Sequence, residues 1–389
     1  MSLLKNIKII DLTRFVAGPH CTQLLSDLGA NVVKIEKYKK GDDLRIIGTK
    51  VSNTSLWAAV LNRGKKSLSL NLKTKEGRNI LLKLIKDADV IIENFRPGVM
   101  ENLNLSWQTI KKENKKIIMA RISGYGQMDN KDKRQAFDAT VQAETGYMQI
   151  SGNDKSPTMI GTVFLDYTTG LNTAVGILGA LYARHYTGKG ELIETSLVSS
   201  ALSLSMEAVP NYFLNNKDFG KNGNSDRFSS PSNTYKAKDG FIHIMAGSND
   251  RFLNLTKAMK NLKLYKNKLY NNPANRLKNQ TQIDNIVSKW TKKHSIKYLG
   301  KVLTNYSVPW GKVQTFKQFL KTTTKKNLSL TKVGNKSLVV PNCAINVGGK
   351  ILKKSTKVPK VGQNNNTILK DLGYSNKQTT MLKKNKIID

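Results

Sequence analysis

Short apolar runs alternate with amphipathic stretches along this chain, and that alternation restricts the fold more than any other feature. NIKIIDLT, with Ile7, Ile9 and Leu12 nearly alternating, reads as a strand. Pro19 then opens a helical pattern, CTQLLSDLG, which Gly29 ends, and ANVVKIE is the next strand. The unit recurs as KSLSLNL, EGRNILLKLIKDA and DVIIENF, and again as WQTIKKEN followed by KIIMARISGYG. Strands alternating with helices predict an α/β domain: a Rossmann-like parallel sheet covered by helices. No G-x-G-x-x-G follows the first strand and no G-x-x-x-x-G-K-[ST] occurs, so nicotinamide and P-loop readings lose their main support.

The 389 residues exceed the roughly 250–300 at which one core stops growing, so two domains are expected. The large α/β domain begins with residues 1–210. A polar stretch, NYFLNNKDFGKNGNSDRFSSPS, reads as a linker over 211–232. NTYKAKDGFIHIMAG then predicts a hairpin turning at Asp239-Gly240. Helical patterns from Asp250 to Leu303 complete a small α+β domain over 233–325. SLVVPNCAINVGGKILKK reads as paired strands and TILKDLGYSNKQTTMLKKNKII as a closing helical tail, so 326–389 returns to complete the large domain.

The net charge of +37 suggests a polyanion-binding protein, but its make-up argues otherwise. Of the 64 basic residues only eleven are Arg, and the lysines run from end to end. The local run KKENKK, from Lys111 to Lys116, has no aromatic residue within it, whereas strand binders interleave aromatics with basic residues. A solvated, compositionally biased surface is the favoured reading, with no specific nucleic-acid partner. Cys21 and Cys343 stand far apart without metal or redox spacing, pointing to a reducing cytoplasm and no metal site. No run approaches the ~20 apolar residues of a membrane span. His20, His185, His243 and His294 show no ligand spacing.

Three places can carry chemistry. Ala17, Gly18 and Pro19 join strand to helix, where the backbone can approach a phosphate, although pattern alone favours ordinary turn chemistry. Asn94 and Phe95, in ENFRPGVM, follow a buried strand, where ligands of open α/β sheets gather, or they are plain loop and core residues. Asp166 heads the longest apolar helical pattern. It can cap that helix or present a carboxylate nucleophile, and position alone favours the cap. Glu144 reads as a helix-surface acid.

Together these strings resemble the class III coenzyme A transferases, a family that includes formyl-CoA and carnitine-type CoA-transferases and α-methylacyl-CoA racemase. The matching segments are LTRFVAGPHCTQLLSDLGANVVKIE with GDDLR, SLSLNLKTKEGR, DVIIENFRPGVM, ISGYGQ, FDATVQAETGYM and the D-x-x-x-G of LDYTTGLNTAVGILGALYARHYTGKGELIETSL. NTYKAKDGFIHI and PKVGQNNNTILKDLGYS continue them in the same order. The resemblance implies that Asp166 is the acyl acceptor, passing through an anhydride and an aspartyl-CoA thioester. It implies CoA contacts at Arg14, Phe15, Val16, Ala17, Lys37, Asn94, Phe95, Asn102 and Leu103, and an interlocked homodimer. CoA is substrate, and no tightly bound cofactor is expected.

Within the family the racemases carry a proton-transferring His where this chain has Phe137. The adjacent Asp138 matches the acid of the transferases and is expected to orient the site. Proton transfer needs a titratable group in reach, so transferase is preferred to epimerase. No Gly-rich lid tetrad follows the hairpin, where AGSND stands, and GQNNNT replaces G-x-H-T near the C-terminus. Both departures argue against formyl or oxalate substrates. A small carboxylate acceptor is favoured, with a dicarboxylate and succinyl-CoA the leading pair.

Overall fold

The computed structural model describes residues 2–127, 134–153, 156–323, 327–352 and 356–389. It divides into two compact units, one of residues 1–145, 160–217 and 324–389, the other of 146–159 and 218–323.

The first unit is built on β1 (Lys8–Asp11), α1 (Ala17–Asp27), β2 (Asn31–Lys37), β3 (Lys66–Leu70), α2 (Lys75–Lys86), β4 (Val90–Glu93), β5 (Ile118–Ser123), α3 (Asp138–Glu144), α4 (Phe164–Thr187) and β6 (Leu192–Ser196). The strands form one six-stranded sheet in the order β3-β2-β1-β4-β5-β6, and every pairing is parallel. Because side chains alternate between faces, adjacent residues feed separate cores. Ile10, Ile91 and Met119 pack with Leu81 and Ile85 of α2 and with Ile368 and Ile388 near the C-terminus. Ile9, Val90, Ile92 and Ile118 pack instead with Cys21 and Leu25 of α1 and with Ala174 and Ile177 of α4.

The C-terminal segment covers the sheet edge. The edge-strand N–H groups of Ser67 and Ser69 donate to the side-chain oxygens of Asn364 and Asn365, both at 2.9 Å. An open parallel edge would otherwise present unpaired backbone groups. Among the described residues no helix is long and apolar enough to cross a membrane.

The second unit holds a three-stranded antiparallel sheet of Ser232–Ala237, Gly240–Met245 and Trp310–Lys312, with helices between Asn249 and Asn305. Its hairpin pairs Ala237 with Gly240, so the turn residues are Lys238 and Asp239, one position earlier than the Asp-Gly signal suggests. Asp239 is held there because its carboxylate accepts from the Ile296 N–H at 2.8 Å. Two further differences concern boundaries. Gly146–Met159 groups with this unit, although the sequence places it within 1–210. Ala208–Asn215 is helical, so the linker read over 211–232 starts inside a helix. The boundary expected at 325–326 lies outside the described residues.

Candidate active site

In the order 3-2-1-4-5-6, successive strands run one way from β1 to β3 and the other way from β4 to β6, so the order reverses between β1 and β4. Loops from the strand ends on the two sides of such a reversal splay apart and leave a crevice. A cleft of about 300 Å³ lies there, lined by Arg14, Phe15, Val16 and Ala17 after β1, by Asn94 and Phe95 after β4, and by Phe137 and Asp166.

The lip after β1 is tightly specified. Asn94 accepts from the Arg14 N–H and donates to the Arg14 carbonyl, both at 2.7 Å. The amide that the sequence offers to a ligand is thus engaged with backbone. Phe15 has φ +59°, a left-handed conformation that costs a non-glycine residue roughly 1–2 kcal/mol. It persists because the neighbouring peptide is clamped by Asn94 and its own N–H donates to Asp42 Oδ1 at 3.2 Å. Beneath the loop lies a buried ionic network. Asp11 accepts from Thr13, Thr22 and Lys65 at 2.5, 2.7 and 3.0 Å, while Lys34 donates to the Thr13 carbonyl and pairs with Asp42. Burial alone would raise the Asp11 pKa, but Lys34, Lys65 and the two hydroxyls outweigh it and lower the pKa to about 2.

Cations and rings gather at the same edge. The Arg14 guanidinium lies 5.7 Å from the Phe15 ring centroid and 5.5 Å from that of Phe95. Asp43 pairs with Arg14 at 3.0 Å and Lys37 at 3.3 Å, holding both positive groups together. A second cleft of about 540 Å³ adjoins the first through Arg14 and Phe95, with Lys37 and Leu103 on its wall beside Leu70 and Leu72. Asn102 lines neither cleft and is exposed.

Asp166 occupies the third position of α4, and it does not cap that helix. The cap comes from α3. Asp138 Oδ2 accepts from the N–H groups of Leu165 and Asp166 at 2.8 and 3.1 Å. The Asp166 carboxylate makes no hydrogen bond among the described residues. Burial, reinforced by the negative charge of Asp138, pushes its pKa up to about 7. Behind it, Gly170 has no room for a side chain: a Cβ there would lie 2.5 Å from the Ala17 carbonyl. The Gly of D-x-x-x-G therefore lets α4 approach the start of α1, bringing Asp166 to the first-loop wall.

Phe137 is half exposed and meets Phe15 edge-to-face at 5.6 Å between centroids, so it forms an apolar wall. Glu144 sits on the surface, paired with Arg134 at 2.8 Å. His20 is half-buried beside Tyr167, and desolvation with nearby Lys65 and Arg63 lowers its pKa to about 4, leaving it neutral. Sequence reasoning missed Asp43 and Gln142. Gln142 carries a faint signal, since four residues separate it from Asp138 on one helix face.

The arrangement brings an ionisable, weakly solvated carboxylate to a cleft whose edges carry cations and aromatic rings. Such a carboxylate is a competent nucleophile, because few solvent bonds must be broken before attack.

The chain is 30% identical over 400 residues to the succinyl-CoA–D-citramalate CoA-transferase of Chloroflexus aurantiacus, covering 99% of this chain and 98% of that protein. It is 31% identical over 379 residues to the succinyl-CoA:glutarate CoA-transferase of Mus musculus, covering 96% and 87%. The crystal structure of a CAIB/BAIF family protein from Brucella suis superimposes with a TM-score of 0.83 at 27% identity, covering 95% of this chain and 99% of that one. Residues 4–365 match CoA-transferase family III, and the chain belongs to that family.

Proposed function

We propose that this transferase moves CoA from succinyl-CoA to a small carboxylic acid, a dicarboxylate being the favoured acceptor, with Asp166 as the acyl acceptor. Relatives named for succinyl-CoA transfer support the donor. The observation that carries the role of Asp166 is its release from capping: Asp138 serves the helix N-terminus and leaves the Asp166 carboxylate at the cleft.

In the first step an Asp166 oxygen attacks the thioester carbonyl, the C–S bond breaks, and a mixed anhydride and CoA thiolate form. The thiolate attacks the aspartyl carbonyl of that anhydride, releasing the donor carboxylate and leaving an aspartyl-CoA thioester. The acceptor carboxylate attacks this thioester, expelling thiolate and making a second anhydride. Thiolate attack on the acceptor acyl carbon yields the new acyl-CoA and restores Asp166. No net proton is consumed, and the thioester's free energy is retained.

Arg14 and Lys37 are suited to CoA phosphates, and Arg14 stacked on Phe15 and Phe95 stiffens that edge. Epimerisation needs a proton-transferring partner for Asp166, and neither neighbour from the Phe137–Asp138 pair is suited to that role. Phe137 cannot titrate, and both Asp138 oxygens are engaged, one by Gln142 and one by the helix amides.

An interlocked homodimer is part of the same proposal. Leu171, Val175, Tyr182 and Tyr186 form an exposed apolar stripe at helical spacing along α4, and Phe213 and Leu214 are exposed on the helix Ala208–Asn215.

The test is Asp166→Ala assayed with succinyl-CoA and a panel of carboxylic acids by mass spectrometry. Turnover is expected to fall roughly 10³-fold or more. In wild-type enzyme incubated with donor, hydroxylamine should convert Asp166 to its hydroxamate. Full turnover by Asp166→Ala would end the mechanism.

A further inference from the structure

The geometry assigns Gln142 as a positioning residue of the transfer chemistry, one that locks the Asp138 carboxylate onto the N-terminus of the Asp166 helix without touching substrate. This rests on the reading of Asp166 as acyl acceptor.

Gln142 is fully buried and lines neither cleft. Its side-chain nitrogen donates to Asp138 Oδ1 at 2.5 Å and to the Thr162 carbonyl at 3.2 Å. Its oxygen accepts from the Ile160 N–H at 3.0 Å. One amide therefore joins three groups: the carboxylate that caps α4 and two backbone groups of the segment entering α4. A primary amide is the neutral side chain that supplies two donors and an acceptor at once. With Oδ1 fixed by Gln142, Oδ2 is aimed at the N–H groups of Leu165 and Asp166. The rotation of Asp138, and hence the placement of the first turn carrying Asp166, is set by this contact.

The contact also fixes the charge nearest Asp166. Held by this contact, Asp138 stands beside the acceptor carboxylate and its negative charge raises the Asp166 pKa. From the cleft side, Arg14, Asp43, Arg96 and Arg134 face the same space as Asp166. Tyr125 also lines the cleft, and Tyr167 follows Asp166 in α4.

Two substitutions separate positioning from packing. Gln142→Leu removes all three hydrogen bonds, and kcat is expected to fall on the order of 10²-fold, as misplacement of a reacting group by about an ångström can cost. KM for acyl-CoA should change less than about twofold, since the CoA edge is untouched. On an Asp138→Asn background the same change should cost far less, because two residues acting through one contact are not additive.

Gln142→Glu gives the sharper readout. At acid pH the new carboxyl shares a proton with Asp138 and preserves the contact. At alkaline pH both ionise, repel at hydrogen-bond distance and pull Asp138 from the helix end. The variant should therefore show a descending alkaline limb that wild type lacks, with at least about a tenfold loss by pH 8.5 relative to wild type. A profile parallel to wild type, or full additivity with Asp138→Asn, overturns the assignment. If Gln142→Leu does not fold, Gln142→Glu assayed from pH 6 upward carries the test alone. Hydroxylamine capture keeps the two readings apart. An unlabelled Asp166 in wild-type enzyme defeats the acceptor role, whereas a labelled Asp166 with a parallel Gln142→Glu profile defeats only the positioning role.

Discussion

Asp166 stands where a helix normally attracts and ionises a carboxylate, yet its pKa is pushed up to about 7. Burial removes solvation from the anion, and Asp138, serving the helix amides itself, adds a like charge. A nucleophilic carboxylate must be ionised, so kcat is expected to rise with pH through a midpoint near 7. Asp138→Asn removes the like charge while its amide oxygen can still accept from the helix N–H groups. The acid limb of the kcat profile should then move to lower pH, by about one unit for roughly 1.4 kcal/mol of repulsion relieved. A limb that stays in place or moves to higher pH contradicts this assignment of charges. Asp166 is conspicuous in the sequence as an acid heading an apolar pattern. Its release from capping is not, because the competing carboxylate lies 28 residues earlier and reaches it only through the packing of α3 on α4.

At the scale of elements, the local patterns in the sequence locate five of the six strands of the main sheet, because each is a short apolar run bounded by turn signals, whereas Leu192–Ser196 is hidden at the end of the long helical pattern. Their order is not local. Which strands become neighbours depends on the hand and length of the crossovers, and the switch point exists only once β4 lands beside β1. The role of Gly170 is similarly hidden until α4 meets α1. Gly170→Ala would place a methyl 2.5 Å from the Ala17 carbonyl, so one helix must move. We expect a loss of about 1–3 kcal/mol in chemical denaturation, less any gain in helix propensity, together with reduced turnover as Asp166 retreats. Unchanged stability and turnover would mean that the two helices are not in tight contact. The linker is the case where composition misleads, since NYFLNN is polar enough for a loop but still supports the helix Ala208–Asn215.

For the whole molecule, the +37 charge is spread from end to end, whereas the exposed apolar stripe on α4 is one continuous surface, and the proposed dimer rests on it. Under the proposed dimer, Asp substituted for both Tyr182 and Tyr186 is expected to shift the protein toward monomer or aggregate in light scattering at micromolar concentration. A monomeric wild-type protein would remove the basis for the dimer. Resemblance supplies the interlocked arrangement, which no periodicity within one chain can encode, because linkage of two chains is a property of the pair.

The double hydrogen bond from Asn94 to the Arg14 peptide bears on how substrate range can change in this enzyme. It staples the margins on either side of the sheet reversal into one stiff rim, already shaped before any acyl group arrives. Selection for new acids therefore finds little slack in that rim, where a change of residue disturbs the strained Phe15 peptide. On the opposite bank, the turn Ser123–Gly126 and the segment Arg134–Phe137, Gly124 is closed against Ala136 and Phe137 packs on Phe15, so the exposed Gln135 is the position that can change without unpicking the staple. Diversification of acceptors, in nature or in the laboratory, belongs on that bank.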